Sequence, residues 1–266
     1  MNCLFCKCNS DDSKSVEHII PESLGNKEHI LPKGLVCDKC NNYFATKIEK
    51  VLLDQPYFRS VRHRREIESK KGLIPFEKGF QLSPLPTPIE VRIENGRRNI
   101  IFHDESVISK ILAVKSGVFL IPIIREPDKN NFIVSRFLAK VSVEALINWI
   151  KEEPEWIEEI MSKQELEDIK QYARYGSGVK FWPYHQRRLY HEETLFVNPS
   201  SLAEPYEILH EYKFFWTKGQ DFYFVLVIMG VEYAINMGEP FIETYEEWLI
   251  DNNGKSMLTS DGERKM

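Results

Sequence analysis

The chain has no cysteine beyond residue 40. All five (Cys3, Cys6, Cys8, Cys37 and Cys40) fall in the first forty of 266 residues. That distribution excludes a secreted disulfide framework and points to metal ligands in a reducing compartment. No apolar run approaches the roughly 20 residues a spanning helix needs. The longest, residues 222–229, is followed by Gly230 and Glu232. The N-terminus lacks an apolar stretch after a basic start, so no signal peptide is expected and the chain reads as cytoplasmic, with no membrane partner. No internal repeat and no low-complexity tract is present.

The cysteines that are there form two CxxC pairs, Cys3–Cys6 and Cys37–Cys40. Four thiolates in two close pairs suit one tetrahedral structural zinc, with Cys8 as a spare that reads as a free thiol and could otherwise replace Cys6 as a ligand. Between the pairs lies Glu17-His18-Ile19-Ile20-Pro21, and Asn41-Asn42 follows the last cysteine. If the second pair opens a helix, as in a treble clef, Asn41 lies in its first turn and its amide oxygen can face the strand bearing Glu17 and His18. A hard cation, Mg²⁺ or Mn²⁺, takes oxygen ligands and keeps several waters. Glu17 and Asn41 would each give it one oxygen. A neutral imidazole with an ordinary pKa of about 6.5 suits His18 as general base toward water. The catalytic candidates are therefore His18, Glu17 and Asn41, and the chemistry they suggest is hydrolysis at a phosphate.

Charge supports a polyanionic partner for the first part of the chain only. The net charge is −5, yet residues 1–80 carry 14 Lys and Arg against 11 Asp and Glu, leaving 21 against 29 for the rest. The basic excess gathers in Arg59, Arg62, His63, Arg64, Arg65, Lys70 and Lys71. These are the candidate nucleic-acid contacts, set against the plainer reading of a solvated, salt-bridged face.

Periodicity and the cysteine spacing give an α+β fold: a small metal-centred module with a basic extension (1–80), in which the second CxxC pair could open a helix as in a treble clef, then a larger mixed α+β domain (89–266). A short strand is expected around 16–20. A helix follows from Asn41, with Phe44, Ile48, Val51 and Leu52 on one face, and ends before Pro56. The proline-rich segment 83–88 reads as the boundary. Beyond it, 89–93 alternates as a strand and Asn95-Gly96 makes a hairpin turn toward 100–102. Further strands are expected at 118–124, 132–134 and 222–229. Helices are expected over 139–150 and 156–172. The aromatic cluster at 181–184, beside Arg187 and Arg188, reads as core packing.

The pattern CxxC, Glu17-His18-Ile19-Ile20-Pro21, CxxC-Asn41-Asn42 resembles the HNH (ββα-metal) endonuclease superfamily, and within it the branch with a four-cysteine zinc site. The motif covers about the first fifty residues. The stretches 56–75, 136–145, 172–190 and 230–249 are similar to bacterial HNH endonuclease-domain proteins. The resemblance implies single-metal hydrolysis of DNA, with RNA the less favoured substrate, leaving 5′-phosphate and 3′-hydroxyl ends. Restriction or anti-phage defence would suit such a protein, and cutting both strands would call for a homodimer. Three departures stand out. Glu17 replaces the usual Asp or His, and Ala45 occupies the place of a second helical ligand. No middle Asn precedes the second CxxC, so Asn26 or backbone carbonyls are left to orient His18. The alternative reading is a non-catalytic zinc module that binds nucleic acid or protein.

Overall fold

The computed structural model describes residues 1–114, 116–197, 204–258 and 264–265. It is mixed α+β and divides into two compact units. The division does not follow the expected boundary at 83–88. Residues 1–21 and 26–52 belong with 128–266, while 22–25 and 53–127 form the second unit. The zinc module and the C-terminal region thus share one core.

In the first unit, residues 17–21 and 26–31 form the two arms of a small hairpin. The strand expected around 16–20 is not formed: a single bridge pairs His18 with Ile30, Ile19 N–H donates to His29 O at 3.1 Å, and Leu31 N–H donates to Glu17 O at 3.0 Å. Buried Asn26 closes the hairpin: its Nδ2 donates to Ile20 O and His29 O, and its Oδ1 accepts from the backbone N–H of Glu28 and His29. With every bond spent on the loop, Asn26 is a staple and does not orient the His18 ring. Helix α1 (Asp38–Tyr43) starts at the second CxxC, continues through a π-helical stretch, Phe44–Glu49, and runs into α2 (Lys50–Leu53). Phe44, Ile48 and Leu52 are buried on its inner face, as the spacing requires, whereas Val51 stays exposed.

The scaffold of this unit is the long helix α5 (Phe132–Trp149). Its first turn, expected as a strand at 132–134, is helical because Asn131 caps it, accepting from the backbone N–H of Ile133 and Val134. The acidic segment expected as one helix is two, α6 (Pro154–Ser162) and α7 (Glu167–Tyr175), and α7 packs on α5. Strands β5 (Tyr184–Arg188), β8 (His210–Trp216), β9 (Phe222–Ile228) and β10 (Val231–Asn236) form an antiparallel sheet in the order β5-β10-β9-β8. As expected, β9 is buried nearly throughout, and Trp182 and Tyr184 belong to the core. At the β9–β10 turn, Met229 and Gly230 have φ of 48° and 80°. A Cβ on Gly230 would lie 2.1 Å from Tyr190 O, so only glycine fits. One face of the sheet packs Phe215, Tyr223, Val225 and Val227 against Tyr245 and Leu249 of α8 (Glu243–Asp251).

The second unit holds helix α3 (Pro56–Arg64) and an antiparallel sheet of order β3-β2-β1-β4. Its strands are β1 (Glu77–Ser83), β2 (Thr87–Glu94), β3 (Arg97–Phe102) and β4 (Val118–Leu120), the last shorter than expected. Helix α4 (Glu105–Val114) follows β3. The Asn95-Gly96 hairpin is present, with φ of 52° and 68°. The prolines of 83–88 do not separate domains. They form the β1–β2 turn, and Pro88 sits at the start of β2 opposite Phe80.

Candidate active site and metal centre

The metal centre is assembled by two knuckles. Cys3 N–H donates to Cys8 O at 2.8 Å, and Lys7, with φ of 59°, reverses the first turn. Cys37 is the N-cap of α1, its sulfur accepting from Cys40 N–H at 3.4 Å. The sulfurs of Cys3, Cys6, Cys37 and Cys40 all lie within 4.8 Å of one another, with Cys6 and Cys37 3.6 Å apart. Zinc–sulfur bonds of about 2.3 Å in a tetrahedron put ligand sulfurs about 3.8 Å apart, so the four are placed to hold a zinc ion. Cys8 is exposed and outside the cluster. The hydrogen bond from Cys40 holds the Cys3 thiol down to about 4. Burial pushes Cys6 up to about 12, and the bond to Cys3 drives Cys40 upward. Metal binding requires the ligand sulfurs as thiolates and so releases their remaining protons.

The C-terminal region supplies the shell around this centre. Arg174 of α7, 6% exposed, donates its Nε–H to Cys40 Sγ at 3.1 Å and lies 3.9 Å from the centre of the Tyr43 ring. Arg136 of α5 donates to Tyr43 Oη at 2.9 Å. Cationic partners of this kind offset the charge of a four-thiolate site and fix its ligands.

Beside the metal centre, α1 is stitched to the segment entering the hairpin. The Asp38 carboxylate accepts from Ser15 Oγ at 2.5 Å and from Ser15 N–H at 2.8 Å. The Ser15 hydroxyl holds that carboxyl below its usual range. Asn41 Nδ2 donates to Val16 O at 3.1 Å, two residues before His18. With its nitrogen committed to the Val16 carbonyl, Asn41 keeps Oδ1 as the atom available to a cation. His18 is half-buried on the hairpin.

Glu17 is placed differently from expectation. Its side chain is buried and its Oε1 lies 2.6 Å from Nζ of Lys140 on α5. Neighbours on an extended strand point to opposite sides, and here Glu17 takes the interior side. Lys140 is fully buried and also pairs with Glu49 at 2.7 Å and Glu144 at 3.0 Å, while donating to the carbonyl of His18 at 3.0 Å. Glu17 Oε1 is thus committed to an ammonium on the interior side, where the expectation had this carboxylate facing a catalytic metal. Burial would discharge Lys140, but Glu144, Glu17 and Glu49 outweigh it and hold the ammonium well above its ordinary value. Burial drives Glu144 well above the usual carboxylate range, with Glu17 and Glu49 adding to the effect against the pull of Lys140.

The basic run divides. Arg62 and His63 are buried within the second unit, and His63 Nδ1 lies 2.8 Å from Pro75 O. Burial pushes the Arg62 guanidinium down from its ordinary value. These two are structural and do not present themselves to phosphate. Arg59, Arg64 and Arg65 are partly exposed, with Arg64 donating to Ser60 Oγ, and Lys70 and Lys71 are exposed.

Lys140, Arg136 and Arg174 were not among the sequence-derived site residues. Arg136, Lys140 and Glu144 recur every four residues along α5, a spacing that ordinarily marks a solvated face; all three are buried.

No curated protein and no solved structure matches the chain. The family model described as HNH endonuclease matches residues 3–56, the segment that carries both CxxC pairs, the hairpin and α1. Over that segment the chain is similar to an HNH endonuclease domain and carries a four-cysteine metal site, which supports nuclease-type, nucleic-acid-directed function in general.

Proposed function

We propose that the chain is a metal-dependent endonuclease that hydrolyses phosphodiester bonds of DNA. The observation that carries this reading is the tether from Asn41 to Val16, which joins the helix of the metal centre to the segment bearing His18. His18 acts as general base, taking a proton from the attacking water. Asn41 Oδ1 would hold the Mg²⁺ or Mn²⁺ ion, with the scissile phosphate and water filling the remaining positions. Such an ion, when bound, supplies stabilisation of the negative charge on the reacting phosphate. Lys140, bonded to the His18 carbonyl, fixes the backbone from which the imidazole projects. Lys70, Lys71 and the partly exposed arginines would add non-specific attraction to the polyanion.

Restriction or anti-phage defence in the cytoplasm, with two copies cutting opposite strands, is the setting that suits this activity. One observation favours a second reading, a zinc module that binds nucleic acid or protein without cutting it: the inward turn of Glu17 leaves Asn41 as the one protein oxygen assigned to the metal.

The two readings separate in a plasmid-nicking assay with Mg²⁺, Mn²⁺ or EDTA, comparing wild type with His18→Ala at matched zinc content. The nuclease reading expects metal-dependent nicking that falls about 10²- to 10⁴-fold in the variant. Salt-sensitive binding with no cleavage by folded, zinc-loaded wild type would establish the second.

A further inference from the structure

Three of the chain's five tryptophans stand around one cavity of about 460 Å³. Trp149 closes α5, Trp156 lies on α6 and Trp216 ends β8. Each is 60–64% exposed, an unusual cost in apolar surface to concentrate at one place. Two of the three indoles are held firmly all the same. Trp149 stacks on Phe214 at 5.5 Å and 15°, Phe214 on Phe222 at 5.5 Å and 19°, and Phe222 on Trp216 at 4.4 Å and 24°. A four-ring stack therefore presents both indoles before any ligand arrives, which lowers the ordering cost of binding.

The polar groups at the cavity have one dominant sign. Glu165, Asp221 and Glu239 line it against a single ammonium, Lys163, which itself lies 3.8 Å from the Glu159 carboxylate. The volume is that of a small-molecule site: mostly apolar walls with a few polar groups. Negative charge at its rim repels a phosphate and attracts a cation, and tryptophan is the strongest aromatic partner for a cation.

We propose that this cavity binds a small organic cation, an alkylated ammonium carried on an apolar or aromatic body. The site is independent of the nuclease reading and stands or falls without it.

Isothermal titration of the full chain tests it with three probes. These are benzyltrimethylammonium, neopentylbenzene (which replaces the trimethylammonium by an uncharged tert-butyl group) and AMP. The expected result is binding of the ammonium, with the neutral probe about tenfold weaker and AMP unbound. Trp156→Ala and Trp216→Ala should each weaken the ammonium about five- to tenfold, and Glu165→Gln combined with Glu239→Gln should weaken it most at low salt. These side chains are exposed, so an unchanged melting temperature separates lost binding from lost fold. Equal binding of the neutral probe, preference for AMP, no binding of any probe, or wild-type affinity in both tryptophan variants would overturn the proposal.

Discussion

The CxxC module and helix α5 end in one core, but they bring opposite kinds of information to it. The module's chemistry is local: two knuckles, a hairpin and a helix start, with every candidate group within forty residues of the next. Helix α5 adds a buried ammonium and a buried guanidinium from a hundred residues downstream, and neither belongs to a recognisable motif. The difference teaches that a motif can be complete in sequence while the low-dielectric surroundings that fix its geometry come from elsewhere. The Lys140 ammonium is tolerable inside the protein only because Glu17, Glu49 and Glu144 face it, and three carboxyls around one ammonium drive the proton onto Glu144.

The comparison is broken most severely at the metal. Cys37→Ser should abolish zinc retention and unfold the N-terminal part of the first unit, since a structural zinc site contributes on the order of 10 kcal/mol. Metal content and thermal melting together read this out. Next in size, Lys140→Met leaves three carboxylates buried without their counter-charge. It should cost about 3–5 kcal/mol in urea unfolding while leaving the four cysteines in place. An equal loss of zinc in this variant would mean that α5 and the metal centre are not separable contributions.

A smaller effect sharpens the electrostatics. Glu144 has a folded-state pKa raised above its unfolded value, so the folded state binds the extra proton. Stability must then fall as pH rises above about 4.5, by up to about 1.4 kcal/mol per pH unit, until the folded pKa is passed. Glu144→Gln mimics the protonated form. It should match wild type below that pH and exceed it increasingly toward neutrality, as followed by denaturant midpoints across the pH range. The smallest effect concerns the basic run. Lys71→Ala should weaken DNA binding with a salt slope reduced by about one, whereas Arg62→Ala, buried at 6% exposure, should lower stability and leave the slope unchanged.

Much of the module was legible because its determinants are short-range. CxxC spacing fixes sulfurs on one side of a turn, Asn95-Gly96 requires a hairpin, and the Phe44, Ile48, Leu52 spacing requires one buried helix face. What escaped was set by long-range partners. The inward turn of Glu17 depends on Lys140, 123 positions away. Arg136, Lys140 and Glu144 carry the spacing of a solvated helix face, and only burial against the module reverses that meaning. Phe132–Val134 has strand-like composition, but the Asn131 cap commits it to helix. Prolines at 83–88 mark a turn as readily as a linker, and the sequence holds no term to choose between them.

The central claim is that the HNH-type module is completed by α5, and its most direct test is residues 1–127, which keep the whole second unit, produced alone and compared with the full chain for zinc content, thermal unfolding and metal-dependent plasmid nicking. The account predicts a fragment that binds zinc yet neither unfolds with the full chain's cooperativity nor nicks DNA, because Glu17, Glu49 and the His18 carbonyl have lost Lys140. A fragment that melts cooperatively and nicks at the full chain's rate would contradict it.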